Sequence, residues 1–346
     1  MTDQVLLANT SLRVPPSAAK QWIPPMAVYT EVSDEDLAAF IAAYDIGDVL
    51  SCKGIAEGVE NSNYLLHCAK GYFILTLYEK RVDENDLPFF LGLMEHLAKR
   101  GLTCPQPVKN RQGEALGRLA GRPAVIVTFL EGMSVRRPDA RQCGMVGEAL
   151  GQLHLAGCDF NMTRANSLAL QGWGGLFRSI ETRADEILPG LAVMVAQELA
   201  QLQADWPKNL PSGIIHADLF PDNVFFLSGH LSGLIDFYFA CTDAFAYDLA
   251  ICLNAWCFEH DASFNITKGM ALINGYERVR KLTDAEVEAL PMLARGSALR
   301  FLLTRSVDWL NRSEGALVRP KDPMEYVKKL RFHQRAASAR DYGLLR

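Results

Sequence analysis

Apolar and polar positions change rhythm once along this chain. Between about Val49 and Leu130, short apolar runs broken by turn residues predominate. Tyr64-Leu65-Leu66-His67-Cys68 and Tyr72-Phe73-Ile74-Leu75-Thr76-Leu77-Tyr78 flank Lys70-Gly71, a spacing that predicts a β-hairpin. Residues 86–100 follow a helical period. Gly101 and the extended Cys104-Pro105-Gln106-Pro107 stop that helix, because proline lacks an N–H and biases its predecessor away from helical angles. Two more short strands are predicted around Gly121, the second over residues 124–129. Ahead of the sheet, Ser33-Asp34-Glu35 supplies a cap for a helix carrying Leu37, Phe40 and Ile41. After Glu131-Gly132 long amphipathic segments take over, at 142–155, 176–186, 191–205 and several between 246 and 301. One turn-rich apolar island, Ile214 to Phe239, interrupts them with strand-like pieces at 224–226 and 234–236. The expected class is α+β: a small, mostly antiparallel sheet crossed by one helix, then a larger helical part with an inserted loop.

Composition narrows the function. With 346 residues, 49% of them apolar, the chain can bury a full core. Its net charge of −5 gives no basic excess, which argues against nucleic acid or an anionic membrane as partner and for a small molecule. The longest apolar stretches, 124–130 and 249–253, fall far short of the roughly 20 residues that span a bilayer. Eight cysteines, at 52, 68, 104, 143, 158, 241, 252 and 257, show no paired two-residue spacing of a zinc or redox site. They read as reduced core thiols of a cytoplasmic protein. Residues 1–25 hold four prolines and neither period, and are expected to be a leader outside the fold, with lobes at 26–130 and 131–346.

The island carries the chemistry. It reads Ile214-Ile215-His216-Ala217-Asp218-Leu219-Phe220-Pro221-Asp222-Asn223 and then Leu234-Ile235-Asp236-Phe237-Tyr238. Apolar strand residues precede each acidic group and hold it at a rigid edge. Phosphoryl transfer needs a carboxylate beside the attacking hydroxyl and oxygen ligands for a Mg²⁺ ion that bridges nucleotide phosphates. Asp218, Asn223 and Asp236 are candidates for those roles.

The run His216-Ala217-Asp218 through Asn223, followed by Asp236, resembles the His-x-Asp-x-x-x-x-Asn loop and downstream metal-binding Asp of the aminoglycoside phosphotransferase and choline kinase superfamily, relatives of protein kinases. The resemblance implies a protein-kinase-like two-lobe fold that uses ATP and Mg²⁺. It implies Asp218 as catalytic base or orienter of the substrate hydroxyl, His216 as a brace for the loop, and Asn223 and Asp236 as Mg²⁺ ligands. Phe129-Leu130-Glu131-Gly132 looks like the hinge that binds the adenine edge. The stretch from Gly54 to Asn63 occupies the place of the nucleotide-covering loop, with Gly58, Asn61 and Ser62 as phosphate-facing candidates. Ala149-Leu150-Gly151-Gln152-Leu153-His154 looks like the helix that ends in Leu-His beneath the catalytic loop. One departure stands out: Thr76 aligns where kinases carry a strand lysine, and Glu95 does not align with its usual glutamate partner. Lys80 or Arg81 replaces that cation from the strand end, or both are solvated turn charges.

Within the superfamily, Gly58-Val59-Glu60-Asn61-Ser62-Asn63-Tyr64, residues 73–81 and Ile235-Asp236-Phe237-Tyr238-Phe239-Ala240-Cys241 resemble the homoserine kinase branch. That resemblance implies an amino-acid substrate, phosphorylated on its side-chain hydroxyl on the way to threonine. A zwitterion needs a donor fork and an acceptor or aromatic face. Arg300 and Arg305, in an otherwise apolar segment, with Tyr238 and Trp256, are the candidates, although either arginine could instead pair with Asp248 or Asp308. The rivals are kinases for choline, an aminoglycoside, methylthioribose or hydroxylysine, and a pseudokinase that binds nucleotide without turnover.

Overall fold

Ser33 caps α1 (Asp34–Ile41) as its sequence predicts, its hydroxyl accepting the Asp36 N–H at 3.1 Å. Leu37 and Ile41 of α1 bury against one face of a five-stranded antiparallel sheet. Its strands are β1 (Val49–Ile55), β2 (Asn61–Cys68), β3 (Gly71–Tyr78), β4 (Leu116–Leu119) and β5 (Arg122–Thr128), in the order β1-β2-β3-β5-β4. The computed structural model describes residues 30–55, 61–79, 82–312 and 320–345. The expected leader, Gly58, Lys80 and Arg81 lie outside them.

Side chains alternate between the two faces of the sheet. Tyr64, Leu66, Leu75, Leu77 and Ile126 pack toward α1, whereas Ile74, Tyr78, Val125 and Val127 join the main core on the inner face. Helix α2 (Leu87–Lys99) starts with Pro88 in its first turn and adds Leu87, Phe90, Leu93 and Leu97 to the same core. The sheet's inner face and the helical half therefore share one continuous apolar interior.

The helical half consists of α3 (Ala140–Ala156), α4 (Leu170–Ile180), α5 (Leu191–Asp205), α6 (Phe245–Trp256), α7 (Ile266–Val279), α8 (Asp284–Leu310) and α9 (Met324–His333). The helix expected over 176–186 begins earlier and ends at Ile180. Trp173 anchors the earlier turn by donating its indole N–H to the Leu168 carbonyl at 2.8 Å. Asp185 instead caps α5, accepting the N–H groups of Gly190 and Ala192 at 3.1 and 3.0 Å.

Helices α3 and α7 touch backbone to backbone: a Cβ on Gly147 would lie 2.0 Å from the Leu272 carbonyl oxygen. Gly147→Ala is therefore expected to lower unfolding free energy by about 1–3 kcal/mol in a denaturant titration. An unchanged midpoint would mean that the two helices can separate at no cost.

Two short antiparallel pairs frame the island. β6 (Ser212–Ile215) pairs with β9 (Cys241–Ala244), and β7 (Val224–Leu227) pairs with β8 (His230–Leu234). The piece expected at 234–236 ends as a strand at Leu234, since Asp236 is left-handed at φ +64°. Six cysteines are buried; Cys52 and Cys158 are exposed and so are not core thiols. Among the described residues no helix is long and apolar enough to cross a membrane.

Candidate active site

The catalytic loop leaves β6 at Ile215 and turns through Ala217, whose φ of +62° is costly for a residue with a Cβ. Three side chains from the helices beneath hold that turn by its backbone. Asp248 of α6 accepts the His216 N–H at 2.7 Å and the Ala217 N–H at 2.9 Å. Arg300 of α8 donates Nη1 to the Ala217 carbonyl at 2.7 Å. Trp256 of α6 donates its indole N–H to the Leu219 carbonyl at 2.7 Å. His216 ties this loop to the next one: its Nε2 donates to the Ile235 carbonyl at 3.0 Å, and its Nδ1 accepts the Asp218 N–H at 3.3 Å. A carbonyl only accepts, so Nε2 carries the proton, and burial lowers the imidazole pKa and keeps the ring neutral.

These bonds bring Asp218, Asn223 and Asp236 to one edge. The Asn223 amide donates to the Asp218 carbonyl at 2.8 Å and approaches its Oδ2 at 3.4 Å, which spends its donor side on Asp218 and leaves Oδ1 available as an acceptor. The Ile235 N–H, next to Asp236, donates to the Asn223 carbonyl at 3.0 Å. Among the described residues no group of three or more His, Cys, Asp and Glu side chains is placed to hold a metal ion alone. One amide oxygen and one carboxylate do suit Mg²⁺, which takes few protein oxygens and completes its shell with phosphates and water. Asp218 is partly open to solvent, yet desolvation pushes its carboxyl up, against the pull of Arg300, His216 and Lys321. A base must be ionised, so the acid limb of kcat/KM is expected above the ordinary Asp range near 4. A pH–rate profile checks this, and a limb at or below that value would contradict it.

Behind Asp248 lies a buried relay. Arg280 donates to the Tyr276 hydroxyl at 3.0 Å, that hydroxyl meets His154 Nδ1 at 2.8 Å, and His154 Nε2 meets Asp248 Oδ2 at 3.2 Å. Arginine cannot accept, so the Tyr276 proton points at Nδ1 and His154 offers its Nε2–H to the carboxylate. His154 stands where the Leu-His helix end suggested. Asp248 received no such role from sequence, although one acid inside the apolar run of α6 was the available signal, because a buried carboxylate must be satisfied.

A family model described as "Phosphotransferase enzyme family" matches residues 51–282. The chain belongs to this family. It is 65% identical over 319 residues to a homoserine kinase of Xanthobacter autotrophicus, covering 92% of this chain and 99% of that one. It is 64% identical over 321 residues to a homoserine kinase of Bradyrhizobium diazoefficiens, covering 92% and 98%. Among solved structures, an amicoumacin kinase superposes with a TM-score of 0.67 at 14% identity, over 89% of this chain and 95% of that one. A choline kinase from Cryptosporidium parvum gives 0.63 at 13%, over 87% and 94%. These neighbours share the protein-kinase-like fold.

On the sheet side of this phosphotransferase, the hinge is pinned to the island. The Glu131 carbonyl accepts the Ser232 hydroxyl at 2.8 Å, and Met133 and Phe226 exchange two backbone bonds of 3.0 and 2.9 Å. Phe129 is half exposed and leans on Tyr72, and Leu130 packs beside Gly233. Asn61 is buried with its Oδ1 accepting the Glu79 N–H at 3.3 Å. Ser62 points to the α1 face, where its hydroxyl donates to Glu79 at 2.8 Å and accepts the Thr30 N–H at 3.0 Å. Its side chain is thus turned away from the cleft, contrary to expectation, because it shares the parity of Tyr64 and Leu66. Thr76 faces inward and donates to Asn63 Oδ1 at 2.8 Å. Glu95 pairs with Lys109 at 3.0 Å. Among the described residues, neutral Thr76 and Asn63 face each other at that position of β3 and β2.

The substrate candidates separate. Tyr238 takes a hydrogen bond from Tyr78 at 3.0 Å and joins the Asp236 loop to β3. Trp256 is fully buried with its N–H spent on Leu219, so it braces the loop and has no surface to offer a substrate. Arg305 is committed to Glu325 at 2.6 Å and the Asp322 carbonyl at 3.2 Å. Arg300 alone of the two arginines reaches the catalytic loop.

Proposed function

We propose that this phosphotransferase moves the γ-phosphoryl group of ATP onto the side-chain hydroxyl of L-homoserine, giving ADP and O-phospho-L-homoserine for threonine synthesis. The observation that carries this reading is its 65% identity to curated homoserine kinases along nearly the whole of both chains. Asp218 orients the hydroxyl and takes its proton as the new P–O bond forms and the bond to ADP breaks. Its position comes from the backbone bonds of Asp248, Arg300 and Trp256, so catalysis rests on placement more than on covalent chemistry. Asn223 and Asp236 would hold Mg²⁺, which when bound neutralises phosphate charge. The hinge at Phe129, Leu130 and Glu131 offers backbone groups to adenine. Leu65 and Ile74, cross-strand partners on the inner face, supply its apolar roof. The backbone of Asn61 and Ser62 would face the phosphates. Eight free cysteines suit a reducing, cytoplasmic compartment.

ADP release with Mg²⁺-ATP, run on L-homoserine beside choline, methylthioribose, L-serine and an aminoglycoside, tests the reading. Selective turnover of homoserine is expected. Preference for another alcohol would discard the substrate and keep the catalytic loop. No turnover with any of them would leave a nucleotide binder.

A further inference from the structure

Asp86 stands at the start of α2, where an aspartate ordinarily caps the helix, yet its carboxylate makes no capping bond. It turns instead to the helical half, where Arg164, in the loop between α3 and α4, donates Nε to its Oδ2 at 2.6 Å. Nη1 of the same guanidinium donates to the Ala240 carbonyl at 3.2 Å, four residues past Asp236. The guanidinium lies 5.0 Å from the centre of the Phe90 ring of α2, and the Arg164 side chain is only 16% exposed, unlike the solvated surface ion pairs that contribute little. The backbone of Arg164 is fixed as well. Its carbonyl accepts the Thr242 N–H of β9 at 2.7 Å, and its N–H reaches the Thr242 hydroxyl at 3.3 Å. The far end of α2 is held from the same side, with His96 donating Nε2 to the Ala156 carbonyl at 2.9 Å and Arg100 pairing with Asp159.

The segment that Arg164 grips is the turn that carries Asp236. Residues 237–239 form one 3-10 turn, closed by the Ala240 N–H on the Phe237 carbonyl at 2.9 Å. Asp236 enters it at φ +64°, a left-handed backbone that a residue with a Cβ keeps only when its surroundings fix it. Tyr238, in the middle of the turn, packs edge-to-face with Phe90 at 5.8 Å and meets the Tyr78 hydroxyl at 3.0 Å. Helix α2 therefore reaches this turn twice, through the Phe90 ring and through Asp86 by way of Arg164. One planar fork holds two acceptors, on α2 and on the turn, in fixed directions.

We propose that Arg164 is a positioning residue of the phosphotransfer site: by tying Asp86 of α2 to the Ala240 carbonyl, it sets the Asp236 carboxylate where it can bind Mg²⁺ together with Asn223. Arg164 acts through the backbone of the turn and not on the ion or the substrate. Its contribution is therefore to metal affinity and not to affinity for the alcohol. The inference rests on the reading of Asp236 as a Mg²⁺ ligand given above.

Arg164→Met keeps an apolar stem over Phe90 and removes both bonds, whereas Asp86→Asn removes only the charge on α2 and is the milder change. The Mg²⁺ concentration for half-maximal turnover should rise about tenfold in Arg164→Met and severalfold in Asp86→Asn, with the KM for L-homoserine within about twofold of wild type. The rise in melting temperature that ADP gives with Mg²⁺, beyond what it gives with EDTA, should shrink in both variants. This thermal readout needs no phosphate acceptor, so it holds whichever alcohol is the substrate. Should Arg164→Met fail to fold, Asp86→Asn decides alone by the same two readouts. A lower melting temperature of the free protein with an unchanged Mg²⁺ requirement would make Arg164 a structural brace only and overturn the inference. A changed requirement in Arg164→Met alone would overturn it too, since the link to α2 would then have no effect. Asp236→Asn separates the two claims. If it leaves the Mg²⁺ requirement as in wild type, the reading of Asp236 fails and this inference with it; if it abolishes the Mg²⁺-dependent shift while the Arg164 and Asp86 variants keep that shift in full, only this inference fails.

Discussion

Asp218→Asn lowers kcat by about a hundred- to ten-thousand-fold and leaves Mg²⁺-ATP affinity within a few-fold. The side chain changes by one atom, and nothing that shapes the loop depends on its charge. Asp248 and Arg300 hold backbone groups of residues 216 and 217, Trp256 holds the Leu219 carbonyl, and the shorter Asn223 bond goes to the Asp218 carbonyl. What is lost, on the proposed mechanism, is the acceptor for the substrate proton. Stability should move the other way. Desolvation raises this carboxyl in the fold, so at pH 7 the ionised form costs the native state free energy that the neutral amide does not. A variant that is nearly inactive and slightly more heat-resistant is the expected result. Loss of nucleotide binding to the same degree would contradict the role.

Asp248→Ala costs about 3–5 kcal/mol of stability in denaturant and most of the activity, although Asp248 touches no substrate. Burial alone would raise its carboxyl, but the hydrogen bond and charge of His154, then His216 and its N–H, outweigh that and hold it below the usual value. Alanine leaves two buried N–H groups and one imidazole N–H without acceptors, and frees Ala217 to leave its left-handed conformation. The pH sign follows from the lowered carboxyl. Its stabilising contribution is complete above the unfolded value near 4 and is lost as pH falls through the folded value. Wild-type stability should therefore drop more steeply than that of the variant at acid pH. Parallel curves would mean that the carboxylate is not held ionised by the fold.

Much of this was legible from residue order. Ser33 announces α1, and Lys70-Gly71 sets the hairpin. The order of Asp218, Asn223 and Asp236 marks the island that the fold gathers at one edge, while their proposed roles come from the resemblance to the phosphotransferase loop. Ser62 is expected from sequence to face the phosphates, and its side chain does not; the signal that turns it from the cleft is its shared parity with Tyr64 and Leu66. Other features have no local signal. β6 and β9 are four residues each and exist because they pair across 25 residues of intervening chain. Trp256 and Arg305 carry side chains suited to a pocket, and only the three-dimensional path shows one beneath the loop and the other on Glu325. Likewise, nothing near Arg300 in sequence foretells a bond to a carbonyl 83 positions away.

The most direct test of the central claim is product identity. Phosphorus NMR of the protein with Mg²⁺-ATP and L-homoserine should show one new phosphate monoester, growing in step with ADP, and none with Asp218→Asn. Inorganic phosphate in place of the ester, or an ester that Asp218→Asn makes equally well, would contradict the account.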